Sequence, residues 1–501
     1  MKKKLLVNTI TSFMYQIVYM IYGFVLPKLI LDAYGSEING LVSSINQYLS
    51  VISLTEFGMT TVIQSSLYKP LVENDCAGIS RVLTSSSRFF RRIAALFIIY
   101  IVVLCIGYPV FVTTSFGNMY VASLILILSL NMLVEYVFGI TSKQLIIADQ
   151  NIYFCQIINT VTVVLNTACC FFLIRHHVSL HILKLCTAGI MVLNSIAALL
   201  FVRVKYPKVN FRTTYDKEPI KQKWNGVAQH LSAYIYSSTD VIVLTLLSSL
   251  KNVSVYAVYN MVLNGLRQLT GVFDNAVRPI MGRLWAKNDS SLYKYFNAYE
   301  IVTNTLSVFV FGCAASLIVP FVQLYTATIT DTNYVVPKFA FLFTLAYLLQ
   351  NIKNPYHTLI QSTGKFRETQ NGYIITAVLN ICISVALVFK YGLIGVAVGT
   401  LTAAFFQLGY LFVYAHKNIF KNHYINSLKV YAVDIVVFLI DIRLLDYINF
   451  PVDSAFKWVV FAIIVALVWG VSLSAALLLI YRQEVYMFCQ KIVLKSKANR
   501  S

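Results

Sequence analysis

The sequence predicts an all-α integral membrane protein of about fourteen transmembrane helices, built as two parallel six-helix repeats with two further helices at the C-terminal end. Three observations carry that prediction: an extreme composition, a train of apolar runs of spanning length, and matches at one repeated offset. Of 501 residues, 58% are hydrophobic and only 12% charged, with a mean hydropathy of +0.71. Soluble domains run at about 45–50% apolar and about 25% charged. A soluble multidomain enzyme is therefore excluded. Disorder is excluded too, because apolar surface is plentiful.

A helix crosses the hydrocarbon core with about 20 residues. Runs of that kind fall near 8–31, 38–64, 89–111, 119–141, 152–174, 181–202, 226–248, 254–280, 297–320, 334–356, 371–389, 393–415, 430–448 and 458–481. The segments between them are short and rich in Lys, Asn, Ser and Gly, with no room for a separate soluble domain. Strand backbone cannot satisfy its polar groups in lipid unless a barrel closes, and no period-two alternation suggests one. The runs read as helices. Lys2, Lys3 and Lys4 ahead of an apolar run imitate a signal peptide. The run is too long and lacks a small-residue cleavage site, so it reads as the first transmembrane helix.

Lys plus Arg number 40 against 20 Asp plus Glu, a net charge of +20. With the N-terminus placed in the cytoplasm, 31 of the 40 basic residues fall in inside segments and 8 at outside ends, leaving Arg267 in mid-helix. That bias orients the chain with both termini cytoplasmic. The excess charge is thereby explained by topology and anionic headgroups, not by nucleic acid. None of the nine cysteines forms a CxxC pair, and Cys169 and Cys170 are adjacent within a helix. They read as small hydrophobes, not as disulfide or zinc ligands. His176, His177 and His181 cluster in an outer loop without a nearby carboxylate and read as solvated. No nucleotide, zinc-protease or serine-hydrolase motif is present, so no cofactor or bound metal is expected.

Asn74-Asp75 repeats as Asn288-Asp289, Leu145-Ile146 as Leu359-Ile360, and Thr162, Val164, Leu165, Asn166 as Thr376, Val378, Leu379, Asn380. All three matches share an offset of 214 residues. The offset spans six helices, so both copies have the same orientation, an arrangement found in transporters. The expected organisation is a first lobe over 1–203, a basic cytoplasmic linker over 204–223, a second lobe over 224–416, and two extra helices with a basic tail over 417–501.

The first helical pair carries a more specific pattern. Leu26-Pro27-Lys28 leads to Ala33-Tyr34-Gly35-Ser36-Glu37-Ile38-Asn39-Gly40-Leu41, then Ser44-Ile45-Asn46-Gln47, Glu56-Phe57-Gly58 and Ser66-Leu67-Tyr68-Lys69-Pro70-Leu71. This block resembles the N-terminal signature of polysaccharide-repeat-unit flippases of Gram-positive type, in the multidrug/oligosaccharidyl-lipid/polysaccharide exporter superfamily. Ser238-Thr239-Asp240 and the Gly364-Lys365 turn are similar to that group as well. The resemblance implies a transporter of the bacterial cytoplasmic membrane that moves polyprenyl-pyrophosphate-linked oligosaccharide outward by alternating access. It implies H+ or Na+ coupling, and a place beside other polysaccharide assembly proteins for capsule or exopolysaccharide. Gly35 and Asn39-Gly40 also have a purely structural reading, as a tight turn and the start of the next helix.

Charges at membrane depth are costly and usually face a cavity or a partner. Arg267, Asp274 and Arg278 stand at separations that place them on one helical face. Arg267 suits a phosphate, since guanidinium meets phosphate oxygens bidentately; a structural ion pair, Arg267–Asp274 or Asp274–Arg278, is the equal alternative. Arg278 and Lys28 have snorkelling alternatives at the helix ends. Glu56, Asp240, Asp274 and Glu135 are candidates for a coupling ion or for structural pairing. Gln350, Asn351 and Lys353 crowd ahead of Pro355, which breaks the helical ladder, and line a cavity if the span continues past it. Two rival functions stay open: a multidrug/cation antiporter of the same superfamily, which wants an acidic cavity, and a membrane glycosyltransferase, polymerase or scaffold of the same pathway. Short outer loops weigh against the enzyme.

Overall fold

A computed structural model describes residues 2–56, 58–211, 213, 227–420, 423–448 and 450–481. Among the described residues every regular element is helical. Most of the expected basic linker, and all of the basic tail after Tyr481, lie outside the described residues.

The first two expected spans run into each other in α1 (Lys2–Ser50). The break between them is Gly35, at φ 81° and ψ 178°, a backbone state that only glycine adopts cheaply. Asn39 and Gly40, just past that break, are already helical. Gly40 instead permits close packing: a Cβ there would overlap the backbone carbonyl of Leu250. Asn39 donates to Ser254 Oγ at 2.7 Å. The second span continues through a 3-10 turn, Val51–Glu56, into α2 (Met59–Val72). α3 (Cys76–Phe111) follows. The fourth span is α4 (Asn118–Val134), a π turn at Glu135–Gly139, and α5 (Ile140–Ala148). α6 (Ile152–Arg175) and α7 (Leu180–Lys205) complete the first six spans.

After the linker come α8 (Val227–Leu247), α9 (Leu250–Thr270) and α10 (Val272–Ala286), the last two forming one span interrupted at Gly271. α11 (Leu292–Tyr325) is followed by another interrupted span, α12 (Pro337–Ile352) with α13 (Asn354–Thr363). α14 (Phe366–Tyr391), α15 (Leu393–Asn418), α16 (Ile425–Asp446) and α17 (Ala455–Ile480) end the chain. Nine helical stretches among the described residues are long and apolar enough to cross a membrane, the longest of them Leu6–Glu56. Of the remaining expected spans, α8 holds a shorter apolar stretch, Tyr234–Leu247, α9–α10 and α12–α13 are interrupted, and α16 carries several charged residues. The molecule is thus an all-α, multi-pass membrane protein.

The chain packs as two compact units, Met1–Trp224 with Ser249–Ser254, and Asn225–Ser248 with Val255–Ser501. In the first, Leu41, Leu83, Phe90, Phe97 and Leu145 are fully buried in one core. In the second, Phe296, Tyr299, Tyr356 and Leu411 play that part. Large apolar side chains on the outer face of α3, such as Ile99, Val103 and Ile106, are exposed, as suits a lipid-facing surface.

The repeat is visible in the backbone. Asn74 (φ 54°) and Asn288 (φ 49°) are left-handed residues 214 apart, and so are Gln150 (φ 57°) and Gly364 (φ 71°). Their turns share hydrogen bonds at the same offset: Asp75 N to Pro70 O and Asp289 N to Leu284 O, then Asn151 N to Ile146 O and Lys365 N to Ile360 O. Even the interruptions correspond. The π turn ending at Gly139 in the first copy matches the break at Lys353 in the second.

Candidate functional site

The sequence-selected residues fall into separate neighbourhoods. In the first unit Lys28 pairs with Asp32 at 2.6 Å, one turn along its own helix, and both remain partly exposed. Glu56 accepts a hydrogen bond from Tyr136 at 2.7 Å. Glu135 pairs with Lys143 at 2.7 Å across the π turn. The two carboxylates share a cleft of about 310 Å³ with Lys143 and Gln144. Glu135 opens the π turn, an element frequent at functional sites. Of the outer-loop histidines, His181 is not simply solvated: its Nε2 meets Ser123 Oγ at 2.8 Å.

The second unit holds the denser arrangement. Arg267 and Asp274 lie on either side of the interruption at Gly271, Arg267 on α9 and Asp274 on α10. Asp274 accepts from Tyr299 at 2.5 Å instead, and no ion pair joins it to Arg267 among the described residues. Arg278 is exposed on α10. Arg267 is exposed as well, with its guanidinium 5.9 Å from the centre of the Tyr347 ring, the geometry of a cation–π contact. Tyr347 is fixed by donation to Asn260 Oδ1 at 2.6 Å.

Lys353 sits at the junction of α12 and α13, where Pro355 at the start of α13 removes a backbone donor. The helix does not end there. α13 continues to Thr363 with Pro355, Tyr356, Thr358, Leu359 and Ile360 buried. Lys353 Nζ donates to Gln407 Oε1 at 2.6 Å and lies within electrostatic reach of Arg267. Asn351 accepts from Thr270 at 2.7 Å and donates to Tyr347 O at 2.7 Å, tying α12 to α9. Arg267, Lys353, Gln350 and the Tyr347 ring thus form one basic, polar surface.

A hydrogen-bonded chain leads inward from that surface. Gln350 donates to Tyr236 at 3.0 Å, and Tyr236 donates to Thr400 O at 3.1 Å. Thr400 Oγ1 in turn donates to Asp240 at 2.8 Å. Asp240 is buried on α8 and also takes Tyr256 at 3.1 Å and Asn380 at 3.4 Å. No lysine or arginine is ion-paired with it among the described residues. Asn380 Oδ1 and Ser384 Oγ, both buried on α14, have no hydrogen-bond partner among the described residues. Oxygen ligands with one negative charge and unused lone pairs are the chemistry that hard cations seek. The equivalent of Asp240 in the first copy is Leu26, packed with Ile30, Cys170 and Leu183. The matching position of the first copy is thus packed by an apolar side chain and carries no carboxylate.

Sequence reasoning missed three buried acids. Glu300 on α11 is fully buried, as is Asp441 on α16, and Asp434 on α16 is 6% exposed. The signal was available: Asp434 and Asp441 lie inside one span seven residues apart, on one face.

No family model matches the sequence, and no curated protein does. Solved structures do. The chain is similar to a lipid II flippase, MurJ, in an inward closed conformation, with a TM-score of 0.68 and 14% identity over 94% of this chain and 98% of that one. It is similar to an inward-facing multidrug resistance MATE family transporter of the MOP superfamily, with a TM-score of 0.63 and 13% identity over 78% and 93% of the two chains. A MATE structure in the bent conformation matches with a TM-score of 0.56 and 13% identity, over 85% and 97%. At such identities the likeness is one of fold: the chain has the fold shared by these proteins.

Proposed function

We propose that the protein is a flippase that carries a polyprenyl-pyrophosphate-linked oligosaccharide repeat unit across the bacterial cytoplasmic membrane, for capsule or exopolysaccharide assembly. The observation that carries the reading is the hydrogen-bonded chain joining the basic surface of Arg267 and Lys353 to the buried Asp240. Guanidinium and ammonium groups supply the charge and the fork geometry that a pyrophosphate needs. Tyr347 holds Arg267 over its ring and limits the side-chain entropy lost on binding. Asp240, Asn380, Ser384 and Thr400 offer oxygens to a coupling cation, Na+ in the first instance. A cation at Asp240 would draw on the Thr400 hydroxyl, and a shift of the Thr400 backbone with it would reach Tyr236, which donates to the Thr400 carbonyl, and through it Gln350. Coupling requires that each ligand bind the two transport states with different affinity.

The same fold in a multidrug transporter keeps the antiporter reading alive, and Asp240 fits it. Arg267 and Lys353, close together, do not, since they repel an organic cation. The two readings part in a binding measurement. Undecaprenyl pyrophosphate should raise the unfolding temperature of the purified protein, and Arg267→Ala with Lys353→Gln should remove the rise. A rise on adding organic cations, with none from the pyrophosphate lipid, would transfer the protein to the antiporter class.

A further inference from the structure

Glu300 is fully buried on α11, and it belongs to none of the ion pairs among the described residues. Its carboxylate accepts from Ser427 at 2.5 Å and from Tyr431 at 3.2 Å, both on α16, and from Tyr356 on α13. Three hydroxyl donors thus surround it in place of water. Asp434 lies one turn beyond Tyr431 and interacts electrostatically with Glu300. Its Oδ2 has no hydrogen-bond partner among the described residues. Asp441, two turns further on, accepts from Ser472 of α17 at 2.7 Å through Oδ1 and leaves Oδ2 without a partner.

Ser427, Asp434 and Asp441 share one face of α16. Fourteen helical residues rise about 21 Å, a large part of a hydrocarbon core of about 30 Å. The other titratable groups facing the row are Tyr293 and Cys313 of α11, Tyr356 of α13, His416 of α15, and Tyr431 of α16 itself. His416 is buried, with Nε2 3.4 Å from the Tyr356 hydroxyl and Nδ1 unpartnered among the described residues. No lysine or arginine stands among them.

Two neighbouring carboxylates without a cation repel strongly in a medium of low dielectric. Their burial is expensive, and a leucine or phenylalanine would pack there at no such cost. A metal ion is poorly served, because the hydroxyl hydrogens already occupy the Glu300 lone pairs. A bare carboxyl oxygen beside a like charge is what a proton needs.

We propose that Glu300, Asp434 and Asp441 form a proton-binding row in the second unit, distinct from the Asp240 site, with one proton on Asp434 beside the hydroxyl-bound Glu300 carboxylate and another on Asp441. The proton comes from water and forms an O–H bond on the carboxyl oxygen; on release it returns to water. Glu300 ties α16 to α11 and α13, so its charge state sets how tightly α16 docks. The proposal stands whatever the transported substrate is.

Infrared difference spectra of the full-length protein in lipid vesicles, taken between acid and alkaline pH, read the row directly. The wild type should show a protonated-carboxyl band that bleaches as pH rises. Asp434→Asn should remove one component of it, Glu300→Gln should shift that same component, and Asp441→Asn should remove a second. Asp240→Asn should leave all of these unchanged. A wild type with no such band overturns the proposal, and that arm needs no variant. Identical spectra for wild type, Asp434→Asn and Glu300→Gln overturn it as well. Bleaching by NaCl at fixed pH, lost in Asp434→Asn, would make the row a metal-cation site instead. Should Asp434→Asn fail to fold, Asp434→Ser takes its place.

Discussion

Asp240 has a natural comparator in Leu26, its counterpart in the first repeat. A carboxylate at one copy and a leucine at the other, in matching backbone, separates function from packing. Sodium that binds only the folded protein stabilises it by about 2.7 kcal/mol at a hundredfold excess over Kd. Asp240→Asn should abolish that gain, read as the loss of a sodium-dependent rise in unfolding temperature, while the variant still folds. At the basic surface, Arg267→Lys keeps the charge but loses the planar fork and the stack on Tyr347. Pyrophosphate-lipid affinity should fall about tenfold or more, equivalent to about 1.4 kcal/mol, as measured by ligand-dependent thermal shift. Single residues were only partly legible in the sequence. Lys353, Gln350 and Asn351 stood out because Pro355 marked a break. The link from Gln350 through Tyr236 to Asp240 was not legible, because it joins three helices far apart in the chain. The Tyr299 partner of Asp274 was not legible either, because it stands on another helix.

At the scale of elements, the turns that close the fourth and tenth spans give a matched pair. Gln150 and Gly364 occupy the same left-handed position, which costs a side-chain-bearing residue about 1–2 kcal/mol. Gly364→Gln should lower stability by about 1 kcal/mol in thermal unfolding. Gln150→Gly should raise it by less, because glycine also loses more chain entropy on folding. Next to the first of these turns, Asp149 accepts from Lys205 at 2.9 Å and Asn151 at 2.6 Å, and from Tyr206. Burial alone would raise its pKa, but the hydrogen bonds from Tyr206 and Lys205 and the Lys205 charge outweigh it and hold the carboxyl below its usual range. A depressed carboxyl stabilises the fold at neutral pH, and the contribution disappears as pH falls through the folded value, below about 4. Wild type should therefore lose stability across that window, and Asp149→Asn, less stable at neutral pH, should show a shallower acid loss. Element positions were legible from the apolar runs. The interruptions were not, since π turns and 3-10 turns arise from packing.

At the scale of the molecule, composition and charge distribution specified the class, and one offset of 214 residues specified the repeat. Left-handed turns at Asn74 and Asn288, and at Gln150 and Gly364, show that offset in the backbone. The partners of the buried acids of α11 and α16 were not legible, because Glu300 gathers its donors from α13 and α16, far from it in the chain. The central claim, that the chain flips a lipid-linked oligosaccharide with help from a cation bound at Asp240, is tested most directly in proteoliposomes. Lipid-linked oligosaccharide is incorporated in both leaflets, a sodium gradient is imposed, and the fraction exposed to an external glycan-cleaving enzyme is followed. Wild type should move the lipid with a rate that depends on the gradient, Asp240→Asn should lose the dependence, and Arg267→Ala should lose movement. Equal exposure in empty vesicles and in vesicles holding the wild type would contradict the account.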